Sequence, residues 1–270
     1  VEWLLILPLT IPTYIAAYSY YDILEYFNPI LFWTRKKIGL DYTIMIENIL
    51  IYVVIIMLFS FVLYPYIYLS TRASLILQGR RVIEAANTLG VPTKKLLRKV
   101  VIPIIRPGII AGASLVIMET LNDYAAVEYF GLSTLTIGIF RSWFGMFDMG
   151  SALKLSSFLA LFVFIILAIE KFYRREARYN NSQGSSGLQT IDLQRKKQVM
   201  VFVFCFIPFF FGFLIPVARL ISWMLRSDVV IHGYNLFGTA LNTLFVSFAS
   251  SISIVLVASL VIFTKNYFNN

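Results

Sequence analysis

The sequence predicts an all-α protein that crosses a membrane several times, and three observations support this prediction. Hydrophobic residues make up 59% of the 270 residues, against about 45–50% apolar residues in soluble domains. Several apolar runs reach the roughly 20 residues that an α-helix needs to cross the hydrocarbon core. Most of the charged residues fall between these runs. We therefore expect a polytopic membrane protein built from helices.

The apolar runs predict six membrane-crossing helices. Pro8 and Pro12 lie in the first of them, and membrane helices tolerate proline where neighbouring groups satisfy the freed carbonyls. The second ends in an aromatic belt around residues 64–68, which is typical of the membrane–water interface. The predicted helices cover about residues 3–25, 46–69, 107–128, 150–171, 199–223 and 238–264.

The basic residues predict the orientation of these helices. Fifteen of the 23 Lys and Arg residues lie in segments 70–106 and 171–197, and the positive-inside rule places such segments in the cytoplasm. The net charge of +9 is thus explained by topology, and no nucleic-acid partner is expected. The segments predicted to be external are 26–45, 129–149 and 224–237, with the basic run 35–37 as a local exception.

Several kinds of chemistry lack the residues they need. Cys205 is the single cysteine and His232 the single histidine, so no disulfide and no histidine-based metal site is expected. No Gly-x-x-x-x-Gly-Lys-Ser/Thr loop occurs, so the chain is not expected to bind ATP itself. We predict no catalytic residue and no cofactor.

A polar segment divides the chain into two parts. Residues 180–187 are small and polar without a hydrophobic period, which is typical of a flexible linker. The predicted organisation is four helices in 1–178, a cytoplasmic linker in 179–198 and two helices in 199–270. Two helices cannot readily bury their own polar groups, so we expect the chain to be a fragment.

The basic segment 70–106 has the build of a docking element. Its first part reads as a short helix with a narrow apolar face, and Gly90 suits the left-handed position just past a helix end. Glu84 lies among arginines and can form ion pairs, while Ala85 and Ala86 would let another protein approach the backbone closely. A second helix, 94–101, should end at Pro103. The alternative interpretation is an amphipathic helix on the membrane surface.

These residues carry a resemblance to a known family. Glu84-Ala85-Ala86, Gly90 and the ending Val100-Val101-Ile102-Pro103 resemble the EAA loop of binding-protein-dependent ABC importer permeases. The family pattern is Glu-Ala-Ala, three residues, Gly, nine residues, then Ile-x-Leu-Pro, so Val100 and Ile102 are mild departures. The resemblance implies that this loop couples the permease to a partner ABC ATPase, and that a periplasmic binding protein delivers the substrate across the inner membrane.

Other segments resemble the ferric-iron branch of these permeases. They are Leu7–Tyr14, Met118–Tyr124, Tyr129–Gly131 and Thr136–Gly145, and Leu241–Ser247 resembles the start of a core permease helix. The resemblance implies ferric iron as the substrate; thiamine, polyamine or sulfate permeases are the alternatives. The ferric branch usually carries two fused halves, each with its own EAA loop. On this reading, 1–178 ends a first half and 199–270 begins a second.

Polar residues in the third predicted helix are candidates for the transport pathway. Glu119 lies about 18 Å along that helix, at about 1.5 Å per residue, and Asp123 should share its face. Together with Asn122 and Tyr129, these residues offer hard oxygen donors that suit a hard cation.

Three alternatives remain open for these residues. Glu119 could instead hold helices together by pairing with Arg141 or with a polar group of a neighbouring helix. It could also form an acid pair with Asp123 in an integral-membrane enzyme, or the chain could be a passive channel. The aromatic external segment 131–150 either docks a periplasmic donor, re-enters the membrane or forms an interface belt.

Overall fold

The structure is a computed structural model that describes residues 2–76, 86, 88–175, 195–226 and 235–268. All regular elements within these ranges are helical, and five stretches of helix are long and apolar enough to cross a membrane. The α-helices of five or more residues are α1 (Thr13–Glu25), α2 (Asn28–Lys37), α3 (Leu40–Ser74), α4 (Ile102–Asn122), α5 (Ala125–Tyr129), α6 (Leu135–Phe140), α7 (Met149–Arg175), α8 (Arg195–Phe209), α9 (Ile215–Arg226) and α10 (Leu236–Phe268).

Two compact units make up the chain, Val1–Trp223 and Met224–Asn270. The first contains α1 to α8, most of α9 and a buried core centred on α1 and α3. The second contains α10, which is exposed along the part of its length whose side chains are described. This division falls within α9. The organisation predicted around the linker 179–198 stays a prediction.

The first predicted span, 3–25, is wrong as a single helix. A short 3-10 turn covers Leu7–Thr10, and α1 starts only at Thr13. Proline pushes the residue before it out of the α-helical region, and Ile11 is accordingly extended, with φ −98° and ψ 118°. The chain therefore breaks at Ile11–Pro12, and the described part of the chain contains five candidate spans where the sequence predicts six.

The second predicted span is extended at its amino-terminal end. Residues 26–45, predicted to be an external connection, contain α2 and the start of α3. Gly39 joins these two helices with φ +112°, a conformation that only glycine adopts readily. The span α3 is consequently 35 residues long, about 52 Å at about 1.5 Å per residue. This is more than the hydrocarbon core requires.

Close packing of α3 against α4 forms the centre of the first unit. A Cβ atom placed on Gly112 would lie 2.5 Å from Ile67 Cα, and Gly108 lies equally close to the backbone around Ser70. The small-residue pair that the sequence shows at these positions therefore permits contact between two membrane helices, as small residues do in bilayers.

The helix after the linker is fixed to α1 and α3 by specific contacts. The stretch 195–226 contains a π-helical segment, Phe210–Leu214, between α8 and α9. The Tyr20 hydroxyl donates a 2.7 Å hydrogen bond to the Phe211 carbonyl oxygen, and Gly212 packs directly on the Phe61 carbonyl. Nearby, Arg219 forms an ion pair with Asp22. Packing thus places this helix in the same compact unit as the helices that precede the linker.

Candidate functional site

The loop that resembles the EAA motif ends its first helix as the sequence predicts. Gly90 has φ +67°, the left-handed conformation, and the Val91 N–H donates a 3.0 Å hydrogen bond to the Ala86 carbonyl oxygen. This six-to-one bond with a left-handed glycine is the Schellman motif. Glu84 and Ala85, the other two residues of the predicted motif, lie outside the described residues.

The side chains at this helix end differ from the expectation. Ala86 is only 7% exposed, so this chain itself covers the alanine that was expected to face another protein. Leu89, one residue before the glycine, is 82% exposed. A fully exposed leucine at the end of a helix between two membrane spans offers an apolar contact for a partner.

The second part of this loop does not stop where the sequence predicts. A short helix, Thr93–Leu96, continues through a π-helical segment, Leu97–Val101, directly into α4. Pro103 is the second residue of α4; because helix also precedes it, its missing N–H removes one backbone hydrogen bond without ending the helix. The expected stop at Pro103 is therefore wrong, and the loop is joined to a membrane span by unbroken helix.

The pathway candidates in α4 occupy different environments. Glu119 and Asn122 are exposed in this chain. Asp123 lies just past the end of α4 with an extended backbone, φ −72° and ψ 105°, and its Oδ1 accepts a 2.9 Å hydrogen bond from the Ala126 N–H. The expectation that Glu119 and Asp123 share one helical face is wrong, because the predicted helix 107–128 ends at Asn122.

No ion pair joins Glu119 to Arg141 among the residues that the structure describes. A carboxylate at this depth is expected to face protein or a water-filled space, since exposure to hydrocarbon is costly. The structural pairing considered from the sequence is therefore absent from the described contacts. The exposed side of Glu119 is available to a further helix or to a pathway.

The segment between α4 and α7 folds back on α4. The Thr136 hydroxyl donates a 2.8 Å hydrogen bond to the Leu121 carbonyl oxygen, and the rings of Tyr124 and Phe140 stack with centroids 4.1 Å apart. A hydrogen bond from the Tyr124 hydroxyl to Glu128 raises the pKa of Tyr124. These contacts give the segment predicted to be external a defined structure that helical periodicity does not predict.

Asp148 begins α7 as a helix cap. Its carboxylate accepts hydrogen bonds from the Ser151 hydroxyl at 2.5 Å and the Ser151 N–H at 3.0 Å. These bonds favour the charged form and lower the pKa of Asp148. The cap lies directly after Phe147, which has φ +53° and is 87% exposed.

Tyr129 lies in a cluster of tyrosines that sequence reasoning missed. Its ring contacts Tyr18 and Tyr21 edge-on, with centroids 5.2 and 5.0 Å away. Burial raises the pKa of Tyr129, and the nearby Tyr18, Asp22, Tyr21 and Glu25 raise it further. The sequence pattern that could have indicated this cluster is the spacing of three or four residues between Tyr14, Tyr18, Tyr21 and Glu25, which places them on one face of α1.

Two cavities border the tyrosine cluster. One has a volume of about 420 Å³ and is lined by aromatic rings of α1, α5 and α9, namely Tyr14, Tyr18, Tyr129 and Trp223, together with Ile15, Ala125 and Leu220. The other has a volume of about 150 Å³ and is lined by Tyr21, Leu24, Glu25, Asn28, Leu31, Glu47, Leu50 and Ile51. Tyr21 and Tyr129, which contact each other, thus connect an aromatic cavity to one with two carboxylates.

The described residues contain no cluster of charged metal ligands. Among the described residues, no three His, Cys, Asp or Glu side chains lie close enough together to hold a metal ion. A cation that binds near Tyr129 would therefore use phenol oxygens together with single carboxylates. Such donors are hard oxygens, which suit hard cations.

Comparison with known proteins identifies the family. Residues 1–179 match the family of binding-protein-dependent transport system inner membrane components. A relative, the Fe(3+)-transport system permease protein FbpB 2 of Haemophilus influenzae, is 25% identical over 221 residues, which are 81% of this chain and 39% of the relative. The chain thus spans about two fifths of that relative, and no solved structure matches it. With its apolar membrane-spanning helices, this multi-pass inner-membrane protein belongs to the binding-protein-dependent transport permeases.

Proposed function

We propose that the chain is part of the membrane-spanning permease of an ATP-driven importer, and that its substrate is ferric iron. Family membership supports the transport role. The iron substrate is supported by the relative, which is named as a Fe(3+)-transport permease, and by the oxygen donors around Tyr129. A separate ABC ATPase would hydrolyse ATP, and a periplasmic binding protein would deliver the iron.

The Schellman motif at Gly90 is the observation that carries the coupling role. It ends a helix on the side of the membrane that the basic residues predict to be cytoplasmic, and it presents the exposed Leu89 there. The next segment continues by unbroken helix into α4. A displacement of this loop by an ATPase would therefore be transmitted along α4 to Glu119 and Asn122.

Pro103 and Ala86 take supporting parts in this proposal. Pro103 is in the first turn of α4, so it fixes the backbone where the loop enters the membrane. Ala86 is buried and accepts the hydrogen bond that closes the motif. Glu84 and Ala85 are proposed to contact the ATPase on the strength of the motif alone.

Substrate transfer is proposed to use the oxygen-rich residues at the opposite end of α4. Glu119 and Asn122 are exposed in this chain, while Asp123 and Tyr129 lie at the turn into the external segment. A pathway needs donors that bind a cation weakly enough to release it. Single carboxylates and amides along a route meet this need better than a closed site would.

An organic cation is the second candidate substrate. Four aromatic rings line the 420 Å³ cavity, and aromatic faces attract ammonium groups through cation–π interactions. This cavity favours thiamine or a polyamine, which were the alternatives from the sequence. Its size lies within the range of small-molecule sites, about 300–1,000 Å³.

A reconstituted transport assay distinguishes these substrates. The permease would be placed in liposomes with its partner ATPase and its binding protein, and uptake of radioactive ferric iron, thiamine and spermidine measured with and without ATP. We expect ATP-dependent uptake of iron alone. Equal uptake without ATP would indicate a channel, and ATP-dependent uptake of thiamine or spermidine would assign the organic-cation role.

A further inference from the structure

The short helix α2 has one side packed on the bundle and one side uncovered. Thr34 is buried, and α2 packs against α3. Phe32 and Lys36 each lie two positions from Thr34, which is more than half a turn of helix. Phe32, Trp33 and Lys36 are three or four residues apart, so they share the uncovered side. Phe32 is 72% exposed and Trp33 is 56% exposed.

The last turn of α2 is basic. Arg35, Lys36 and Lys37 follow one another there, and all three are exposed. The ammonium nitrogen of Lys37 lies 4.7 Å from the centre of the Trp33 ring, which is a cation–π contact. Within the described part of the chain, none of the three forms an ion pair with an acidic side chain. The charge of this basic run (Arg35–Lys37) is therefore available to an anionic partner.

The polarity of α3 sets the depth of this region in the membrane. Asp41 and Glu47 are exposed charges on α3, and exposed charges are costly inside the hydrocarbon core. The core therefore begins beyond Glu47, where the exposed side chains Ile49 and Val53 are apolar. Residues 40–48 extend about 13 Å at about 1.5 Å per residue, and the headgroup layer on each side of the core is about 5–8 Å thick. This part of α3 thus crosses the whole headgroup layer.

The helix α2 lies beside this part of α3. Asn28 at the start of α2 and Glu47 of α3 line the same cavity, so α2 begins at the edge of the hydrocarbon core. Gly39 then turns the chain from the end of α2 into the start of α3. Along α2, Phe32 and Trp33 therefore lie nearer the core, and the basic run lies nearer water. Aromatic side chains below a row of cations are the arrangement of interfacial membrane anchors.

We propose that the uncovered side of α2 binds an anionic phospholipid of the surrounding leaflet. The basic run attracts the headgroup phosphate, and the acyl chains lie along Phe32 and Trp33. Two observations favour lipid over a soluble protein: this side continues into the exposed apolar surface of α3, and its polarity changes along the helix in the same order as in a leaflet. The basic run that departs from the predicted topology then has a role of its own. This lipid site does not depend on which substrate is transported.

Quenching of Trp33 fluorescence by brominated lipids tests the site. Trp3, Trp143 and Trp223 would be replaced by phenylalanine, and the permease placed in vesicles of equal parts phosphatidylglycerol and phosphatidylcholine. One of the two lipids would carry bromine on its acyl chains. We expect both lipids to quench Trp33, and phosphatidylglycerol to be enriched beside it by about fivefold or more, because each basic residue near the surface attracts anionic lipid.

The charge variants show whether the basic run causes this enrichment. Arg35→Gln/Lys36→Gln/Lys37→Gln should abolish it. The control Lys154→Gln, which removes an exposed basic side chain of α7, should leave it unchanged. Melting temperatures in the same vesicles check the fold, and if the triple variant unfolds, the single variant Lys36→Gln decides by an intermediate enrichment.

Two results would overturn the proposal. If neither brominated lipid quenches Trp33, this side of α2 is covered by protein or lies in water. If the two lipids quench equally, or if the enrichment survives the loss of the basic charges, the basic run does not recognise the headgroup.

Discussion

Replacement of Gly90 tests the coupling loop through backbone conformation alone. A Cβ atom on Gly90 would have no other atom within 4 Å, yet the residue has φ +67°. A side chain therefore costs only the left-handed conformation, about 1–2 kcal/mol for an L-residue, and more for a β-branched one. That free energy corresponds to roughly a 5- to 30-fold loss of the formed helix end.

We accordingly expect Gly90→Val to lower ATP-dependent uptake by about tenfold while the protein inserts normally. Gly90→Asn is the matched control, because asparagine tolerates the left-handed region, and its uptake should stay within about twofold of wild type. Uptake and ATP hydrolysis would be measured together in liposomes that contain equal amounts of each variant. If Val and Asn were equally harmful, the available space and not the backbone angle would matter, and the reasoning would be refuted.

Three further predictions concern stability, pH and access. Gly112→Ala would place a Cβ 2.5 Å from the α3 backbone, so it should cost about 1–3 kcal/mol of stability and lower the melting temperature in detergent. The control Gly145→Ala, whose Cβ would have no other atom within 4 Å, should melt as wild type. Equal melting temperatures of the two variants would contradict the packing of α4 on α3. The hydrogen bonds that lower the pKa of Asp148 stabilise the folded chain at pH values above the ordinary aspartate pKa of about 3.9. Asp148→Ala should therefore melt at a lower temperature than wild type from pH 8 to 5, and this difference should vanish as pH falls below about 4. A melting difference that does not depend on pH would exclude the charged cap. Cysteines that replace Glu119 and Asp123 in a cysteine-free background should react with water-soluble thiol reagents, and nucleotide trapping of the ATPase should change the labelling rates. If neither cysteine is labelled, and a variant with both carboxylates neutralised takes up substrate normally, both residues are packing elements only.

The sequence predicts membrane spans such as α3 and the structural roles of particular glycines, because both depend on local properties. Apolar length alone identifies α3 and α7 as spans, and the motif spacing identifies Gly90 as a helix end. Two glycines four residues apart, Gly108 and Gly112, expose backbone on one side of α4 and so permit close contact with another helix; that this helix is α3 is seen in the structure. These features need no knowledge of the neighbouring helices.

The features that the sequence did not predict depend on contacts between distant residues. Pro12 interrupts its apolar run, whereas the buried Pro65 lies inside the continuous helix α3. The residue type alone therefore does not predict which proline interrupts a helix. The helix α4 ends before Asp123, whose carboxylate accepts a hydrogen bond from the Ala126 N–H of α5, and no glycine or proline marks this end in the sequence. The partners of Tyr129 lie on α1, more than a hundred residues earlier, so the tyrosine cluster becomes visible only in the folded chain.

The pairing of two irregular backbones has a consequence for biogenesis. Irregular backbone at membrane depth is tolerated only where protein covers it. The break before α1 is covered by the π-helical segment of the later helix, since Gly212 approaches Pro8 and the Tyr20–Phe211 hydrogen bond joins residues 191 positions apart. The amino-terminal part of the bundle therefore reaches its final structure only after the ribosome has delivered residues 195–226. Until then, the backbone break at Ile11–Pro12 lacks the protein groups that cover it in the folded chain.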